Sequence, residues 1–114
     1  MQTSLQLEVA SLSRDRGILN AAIGAEHASP GWSIAAFEFL RDYARRHVQF
    51  MAEDVIRLAS VSDIPKPPDG RAFGSIIQRA VREGLIKKLG YAPAATSNLS
   101  PKCVWQSLIY VDQA

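Results

Sequence analysis

Apolar residues recur at helical spacing along most of the chain, and the spacing is clearest over residues 70–83. There the apolar positions follow the i, i+3, i+4, i+7, i+8 pattern of a helix with one buried face: Phe73, Ile76, Ile77, Ala80 and Val81. Asp69 is placed to cap the first amides of this helix, and Gly84 suits the left-handed turn that ends it. The pattern predicts a short, capped, amphipathic helix.

The same periodicity predicts a helix near the start of the chain, over 5–26. Its apolar residues fall mostly on one side: Leu5, Val9, Leu12, Ile18, Leu19, Ala22 and Ile23. Gly17 is a potential break within it. A detached tail would not expose the four that would form a dimer seam: Leu5, Val9, Leu12 and Ile18. We therefore predict that this helix either packs on the core or joins two copies of the chain as a homodimer.

Two more helices are predicted over 30–47 and 53–60. Ser29 and Pro30 are typical of the N-cap and the first position of a helix. The residues expected to face inward in these two helices are Ile34, Phe37, Leu40 and Tyr43 or Ala44, then Val55, Ile56, Leu58 and Ala59.

The remaining segments are predicted to be links, strands and a loop. Residues 49–51 form a short extended link, and the prolines within 65–68 make a stiff connector because proline restricts the residue before it as well as itself. After the last helix the composition changes to β-branched and aromatic residues, which predicts strands over 85–91 and 103–110. Residues 92–102 between them have the proline, serine and asparagine content of a loop.

The order of these elements predicts the fold class: mainly α with a C-terminal β-hairpin. A three-helix core followed by a hairpin is the winged helix-turn-helix arrangement, here with an extra N-terminal helix. The 70–83 helix would be the recognition helix and the 92–102 loop the wing. Residues 1–29 are then an N-terminal helical extension, and residues 30–114 are the winged helix-turn-helix domain.

The outer face of the recognition helix carries basic and hydrogen-bonding side chains, and the hairpin adds lysines. Arginine and lysine bind phosphates, whereas serine and glutamine can bond base edges or backbone. The candidate DNA-binding residues are Arg71, Ser75, Gln78, Arg79, Arg82, Lys87, Lys88 and Lys102. An ordinary solvated surface is the alternative for this set. For Arg71 a further alternative is a structural anchor paired with Glu53 or Asp54.

The distribution of charge agrees with a basic C-terminal half. Residues 1–63 hold six basic and eight acidic side chains, a balance of −2, whereas residues 64–114 hold seven basic and three acidic ones, a balance of +4. Such a chain is suited to docking on a polyanion by one side, with modest affinity.

Short strings spread over residues 14–106 form a recognisable series. They are Arg14-Asp15-Arg16-Gly17-Ile18, Pro30-Gly31-Trp32, Phe50-Met51-Ala52-Glu53-Asp54-Val55, Pro65 to Pro68, Arg71-Ala72-Phe73-Gly74, Ala80, Gly84-Leu85-Ile86, Gly90-Tyr91 and Trp105. Together they resemble small winged helix-turn-helix proteins encoded by phages and prophages. The resemblance implies a winged-helix fold and DNA binding in replication, recombination or gene control. The chain departs from the pattern at Met51, where a threonine commonly caps the short helix, so we expect fraying there.

Composition narrows the class of protein. A chain of 114 residues with 47% hydrophobic and 21% charged residues is typical of one globular domain. No apolar run approaches the ~20 residues that cross a bilayer, and the first residues lack the basic start and apolar block of a secretion signal. The lone cysteine, Cys103, excludes an internal disulfide and favours a reducing, cytoplasmic setting, with a buried and inert thiol.

Catalysis has little support in the sequence. His27 and His47 lie far apart, the glycines are too dispersed for a phosphate loop, and one cysteine cannot build a thiolate metal site. We therefore predict no enzyme, no cofactor and no metal. Two function classes remain: a duplex DNA binder in transcriptional control or as a replication or recombination accessory, and a winged-helix protein-interaction module without DNA binding. Neutralisation of the basic face by Glu38, Asp42 or Glu83 would favour the second.

Overall fold

The computed structural model describes the backbone of residues 4–93 and 101–111, and the side chains of 13–93 and 102–111. The tip of the predicted wing lies outside the described residues. The described elements are α1 (Ser4–Ala28), α2 (Trp32–Arg46), β1 (Gln49–Met51), α3 (Ala52–Ser60), α4 (Ala72–Arg82), β2 (Ile86–Pro93) and β3 (Pro101–Ser107). The described chain is therefore mostly helical with a small sheet, as the sequence predicted at this level.

The sheet has three antiparallel strands in the order β1-β3-β2. The predicted hairpin is present as β2 and β3, although β3 ends at Ser107 rather than at residue 110. The predicted link 49–51 is in fact a strand, because Phe50 pairs with Trp105 in the central strand. A register shift between Lys88 and Gly90 leaves a bulge in β2. This layout is compatible with a winged-helix-like arrangement.

Helices α2, α3 and α4 enclose the core beside the sheet. The fully or nearly buried aromatic and branched side chains at its centre are Trp32, Phe37, Leu40, Phe50, Val55, Phe73, Ile76 and Ile86. Trp32 meets Phe73 edge to face at 5.3 Å, and its indole N–H donates to the Pro65 carbonyl oxygen at 3.0 Å. That hydrogen bond fixes the proline-rich connector, which directs the chain into α4.

Three residues of α2 and α3 that were expected to face inward are exposed, and so is Val81 of α4, at 41%. Ile34 is 66% exposed because it sits two positions after the buried Trp32, about 200° round the helix. Ile56 and Leu58 are also exposed, since α3 buries only the row formed by Val55 and Ala59.

Helix α1 is continuous across Gly17 and packs along α4 in the opposite direction. The predicted break at Gly17 is therefore wrong. A Cβ at this position would lie 2.7 Å from an Arg71 guanidinium nitrogen, so glycine here permits a close approach. Among the described side chains of α1, Ala21 and Ala25 are buried, whereas Leu19 and Ile23 are 59% and 50% exposed.

The start of α2 is held by α1 rather than by Ser29 and Pro30. The N-cap is Gly31, at φ 89°, and no side chain caps the helix from that position. Instead the Glu26 carboxylate accepts hydrogen bonds from the Gly31 and Ser33 amides, at 3.0 and 2.6 Å. These bonds, that to the Ser33 amide above all, lower the pKa of Glu26.

Two further helix starts differ from expectation. The Asp54 carboxylate accepts the Met51 N–H at 2.9 Å, which counters the fraying expected where threonine is missing. Helix α4 begins at Ala72, and the Asp69 carboxylate accepts hydrogen bonds from the amide and guanidinium of Arg71 rather than from amides within the helix.

Candidate nucleic-acid interface

Helix α4 is enclosed on two sides, so little of it faces solvent. One side is buried in the core, and α1 lies along the other, where Ile18 contacts Gly74 and Asp15 accepts a long 3.5 Å hydrogen bond from the Gln78 side chain. Of the helical residues, only Val81 and Arg82 are exposed. The open outer face expected over 70–83 is therefore wrong: α1 covers it at Gly74 and Gln78.

Arg71 is anchored at the start of α4. Its guanidinium donates to both oxygens of Asp69, at 2.7 to 3.2 Å, and not to Glu53 or Asp54 as the alternative prediction held. The same contact lowers the pKa of Asp69. Arg71 thus has an acidic partner, as the structural alternative required, but that partner is its neighbour in sequence.

Ser75 and Arg79 bond within the protein. The Ser75 hydroxyl donates to the Ala72 carbonyl at 2.7 Å. The Arg79 guanidinium lies 3.9 Å from the centre of the Phe37 ring, and its Nε donates to the Glu83 carboxylate at 2.6 Å. Glu83 thus neutralises one arginine of the predicted basic face, which favours the protein-interaction class.

The three candidate lysines lie on different faces of the sheet. Side chains alternate along a strand, and directly paired residues share a face. Lys88 pairs with Trp105 and so lies on the face toward the helices. Lys87 pairs with Gln106 and Lys102 with Ala92, which puts both lysines on the opposite, solvent-facing side. The eight candidate residues therefore do not form one continuous surface.

A smaller set of cations does converge, in a groove between α1, α4 and the hairpin that we name the basic groove. Arg14 comes from α1, Arg82 from the end of α4 and Lys88 from β2. The other lining residues are Asp15, Ile77, Gln78, Val81, Cys103 and Trp105. The groove thus combines three cations and one carboxylate with a largely apolar floor.

The cations of the basic groove are available for a ligand. Among the described side chains, neither Arg14 nor Arg82 forms an ion pair. The Lys88 ammonium lies 4.5 Å from the centre of the Tyr91 ring, and its interaction with the Tyr91 side chain raises the pKa of Lys88. All three side chains can therefore present positive charge to an anion at neutral pH.

Two residues of the basic groove differ from what the sequence predicts for them. Arg14 was not a candidate, because it lies in the acidic N-terminal half and reaches the groove only through the packing of α1 on α4. Cys103 is half-buried rather than buried; desolvation raises the pKa of its thiol, which disfavours the reactive thiolate.

In the described part of the chain, no residues are arranged as a metal site or as a membrane-spanning helix. No cluster of three or more histidine, cysteine or acidic side chains is arranged there to hold a metal ion. None of the described helices has both the length and the apolar character needed to cross a membrane. Comparison with protein-family models, curated proteins and solved structures finds no match to this chain.

Proposed function

We propose that this protein binds duplex DNA, chiefly through the phosphate backbone, at the basic groove and the adjoining hairpin. The observation that carries the proposal is the convergence of Arg14, Arg82 and Lys88 from three separate elements, none of them paired with a described carboxylate. Phosphate contacts position a protein on DNA without reading its sequence. Binding is accordingly sensitive to salt and only weakly selective.

The order of elements supports this proposal. Helices α3 and α4 would be the helix-turn-helix, and β2 with β3 the wing. Lys87 and Lys102, on the solvent face of the hairpin, would add contacts to a second stretch of backbone. Resemblance to phage-encoded winged-helix proteins favours a role in transcriptional control or as a replication or recombination accessory.

A protein-interaction module is the second candidate, and the internal ion pairs favour it. Arg71 is paired with Asp69 and Arg79 with Glu83, so two of the three arginines at α4 are already neutralised. A surface of this kind suits a protein partner with few charges better than a polyanion.

Fluorescence anisotropy with a 20-base-pair duplex of random sequence distinguishes DNA binding from the protein-interaction class. We expect the single variants Arg14→Ala, Arg82→Ala and Lys88→Ala each to weaken binding and to reduce the slope of log K against log salt by about 0.9, one phosphate's worth of counterion release. The matched control is Arg45→Ala, which removes an exposed cation of α2 that does not line the groove.

Charge reversal gives the decisive outcome. The double variant Arg82→Glu/Lys88→Glu should lose measurable duplex binding while keeping its melting temperature within a few degrees of the natural chain. A folded double variant with unchanged DNA affinity would overturn the proposal and leave the protein-interaction class.

A further inference from the structure

We propose that α1 acts as a removable cover on α4, and that its displacement opens a second, sequence-reading mode of DNA binding. The inference rests on the proposed DNA-binding function and concerns the regulation of that same site. With α1 in place the protein contacts backbone only; with α1 displaced, α4 can enter the major groove.

While α1 is packed on α4, the pair of helices is too wide to enter the major groove of DNA. A helix with its side chains is about 10–12 Å across, and packed helices lie about 8–10 Å apart. The pair formed by α1 and α4 is therefore about 18–22 Å wide. A major groove about 12 Å wide admits one helix but not two side by side.

The residue most affected is Gln78, whose amide could pair with the two hydrogen-bonding groups of an adenine edge. In the structure it is half-buried, lines the basic groove and bonds Asp15 of α1. Displacement of α1 would break the bond to Asp15 and free this amide. The cover therefore lies over the side chain best suited to read a base.

For the cover to open, the contact between α1 and α4 has to break along the part of α1 that precedes Ala21. Ile18 packs against Gly74, where there is no side chain to interlock with it. The described polar contact across this interface is the bond between Asp15 and Gln78, whose 3.5 Å length is at the limit for a hydrogen bond. In the described part of α1, the contact with α4 thus includes Ile18 against a glycine and one long hydrogen bond.

The C-terminal end of α1 is attached differently, and this end would stay in place. Ala21 and Ala25 belong to the buried core, and Glu26 is hydrogen-bonded to the start of α2 at Gly31 and Ser33. The part of α1 that precedes Ala21 would move, either as a rigid arm or by local unfolding.

A disulfide that locks the cover tests the inference. A Cβ built on Gly74 would lie 3.2 and 3.3 Å from the two Cγ atoms of Ile18, each one bond from the Ile18 Cβ. That spacing suits a disulfide between Ile18→Cys and Gly74→Cys, made in a Cys103→Ser background. The oxidised and reduced forms of this variant are one protein with the cover locked or free.

Both forms are compared on two duplexes: a random sequence, and a sequence selected from a random pool with the reduced form. We expect equal, salt-dependent binding of the random duplex. We expect the selected duplex to be bound about tenfold tighter or more by the reduced form alone. The variant carrying only Ile18→Cys and Cys103→Ser, treated with the same oxidant, should not respond to reductant.

Two other outcomes separate a failure of the cover from a failure of the proposed DNA binding. If the locked and free forms show the same sequence preference, strong or absent, the cover is overturned while backbone binding stands. If neither form binds any duplex, the proposed function itself fails.

A second variant removes dependence on the disulfide. Ile18→Asp buries a charge against Gly74 and should displace α1, speeding hydrogen exchange in α4 and sharpening sequence preference. Leu19→Asp makes the same charge change at the exposed neighbouring position, 59% accessible, and should change neither. Equal behaviour of the two variants would overturn the cover.

Discussion

Three arginines close together in the sequence have different neighbours, and the neighbours determine their roles. Arg71 bonds Asp69 beside the start of α4, and Arg79 stacks on Phe37. Arg82 forms no ion pair with a described residue and lines the basic groove. Equal charge and equal helical spacing therefore do not imply equal function.

Replacement of Arg79 and Arg82 should separate stability from binding. We expect Arg79→Ala to lower the free energy of unfolding by about 1 kcal/mol, through loss of the contact with the Phe37 ring and of the ion pair with Glu83. Arg82→Ala should change it by less than about 0.5 kcal/mol while weakening DNA binding. Urea unfolding measures the first effect and anisotropy the second; equal loss of stability in both variants would contradict this assignment.

Glu26 should make the start of α2 sensitive to pH. Its pKa in the folded protein lies below its ordinary value of 4.5, so its contribution to stability is complete above that pH and is lost as the pH falls through the lowered pKa. Glu26→Gln should therefore lower the melting temperature at pH 7, and the difference from the natural chain should vanish in strong acid. Asp63→Asn, at an exposed turn, is the control; a Glu26→Gln deficit that persists in acid would count against the carboxylate as its source.

At the scale of elements, the turn between α4 and β2 sets where the hairpin starts relative to the groove. Gly84 sits at φ 75°, and Leu85 donates its amide to the Ala80 carbonyl just beyond it. A side chain at such a φ is strained even though space is open around it. Gly84 is thus required for its backbone conformation and not for packing.

Substitution at this turn should cost stability in a defined order. We expect Gly84→Ala to lower the free energy of unfolding by about 1–2 kcal/mol. Gly84→Asn should cost less, because asparagine tolerates the left-handed conformation better than alanine does. Urea denaturation of the three proteins gives the ranking, and an alanine variant as stable as the natural chain would refute the conformational explanation.

How far the sequence predicts an element depends on whether its partner is local. Helices α2, α3 and α4 follow from their own periodicity, and the hairpin from its composition. Strand β1 does not, because three residues become a strand only by pairing with a segment near residue 105. In helix α1, Ile18 contacts α4 as predicted, but Leu19 is exposed and Ala21 is buried, because the helix carries apolar residues on both sides and periodicity cannot choose between them.

Residues of the candidate site could likewise be predicted only where the sequence pattern is local. Helical spacing selected Gln78 and Arg82, and strand composition with charge selected Lys88, all of which line the basic groove. Helical spacing could not identify Arg14, because this residue belongs to α1, which is far from α4 in the sequence and packs on it only in the folded chain. Nor could spacing exclude Arg79 from the candidate DNA-binding residues, because its contact is with the ring of Phe37 on another helix.

At the scale of the whole molecule, the exposed side of α1 bears on the predicted homodimer. Ile18, counted among the residues of the dimer seam, instead contacts Gly74 in its own chain, and the side chains of Leu5, Val9 and Leu12 lie outside the described residues. Leu19 and Ile23 are described and exposed, so the dimer stays a prediction with these two residues at its seam.

Light scattering at high micromolar concentration tests that prediction. We expect the natural chain to have the mass of two copies and Leu19→Glu/Ile23→Glu to have the mass of one, because a buried unpaired carboxylate opposes association. Ile34→Glu, at a 66% exposed apolar position of α2, should leave the mass unchanged. A monomeric natural chain would refute the dimer.

The pairing of α1 with α4 also has a consequence during synthesis. Asp15 and Gln78 are 63 residues apart, so α1 leaves the ribosome well before the helix on which it will rest has been made. At translation rates of about 5–20 residues per second, α1 waits for several seconds with its inner apolar face uncovered. A nascent chain stalled before α4 would therefore be a target for chaperones or proteases, and a chain stalled after α4 has emerged would not.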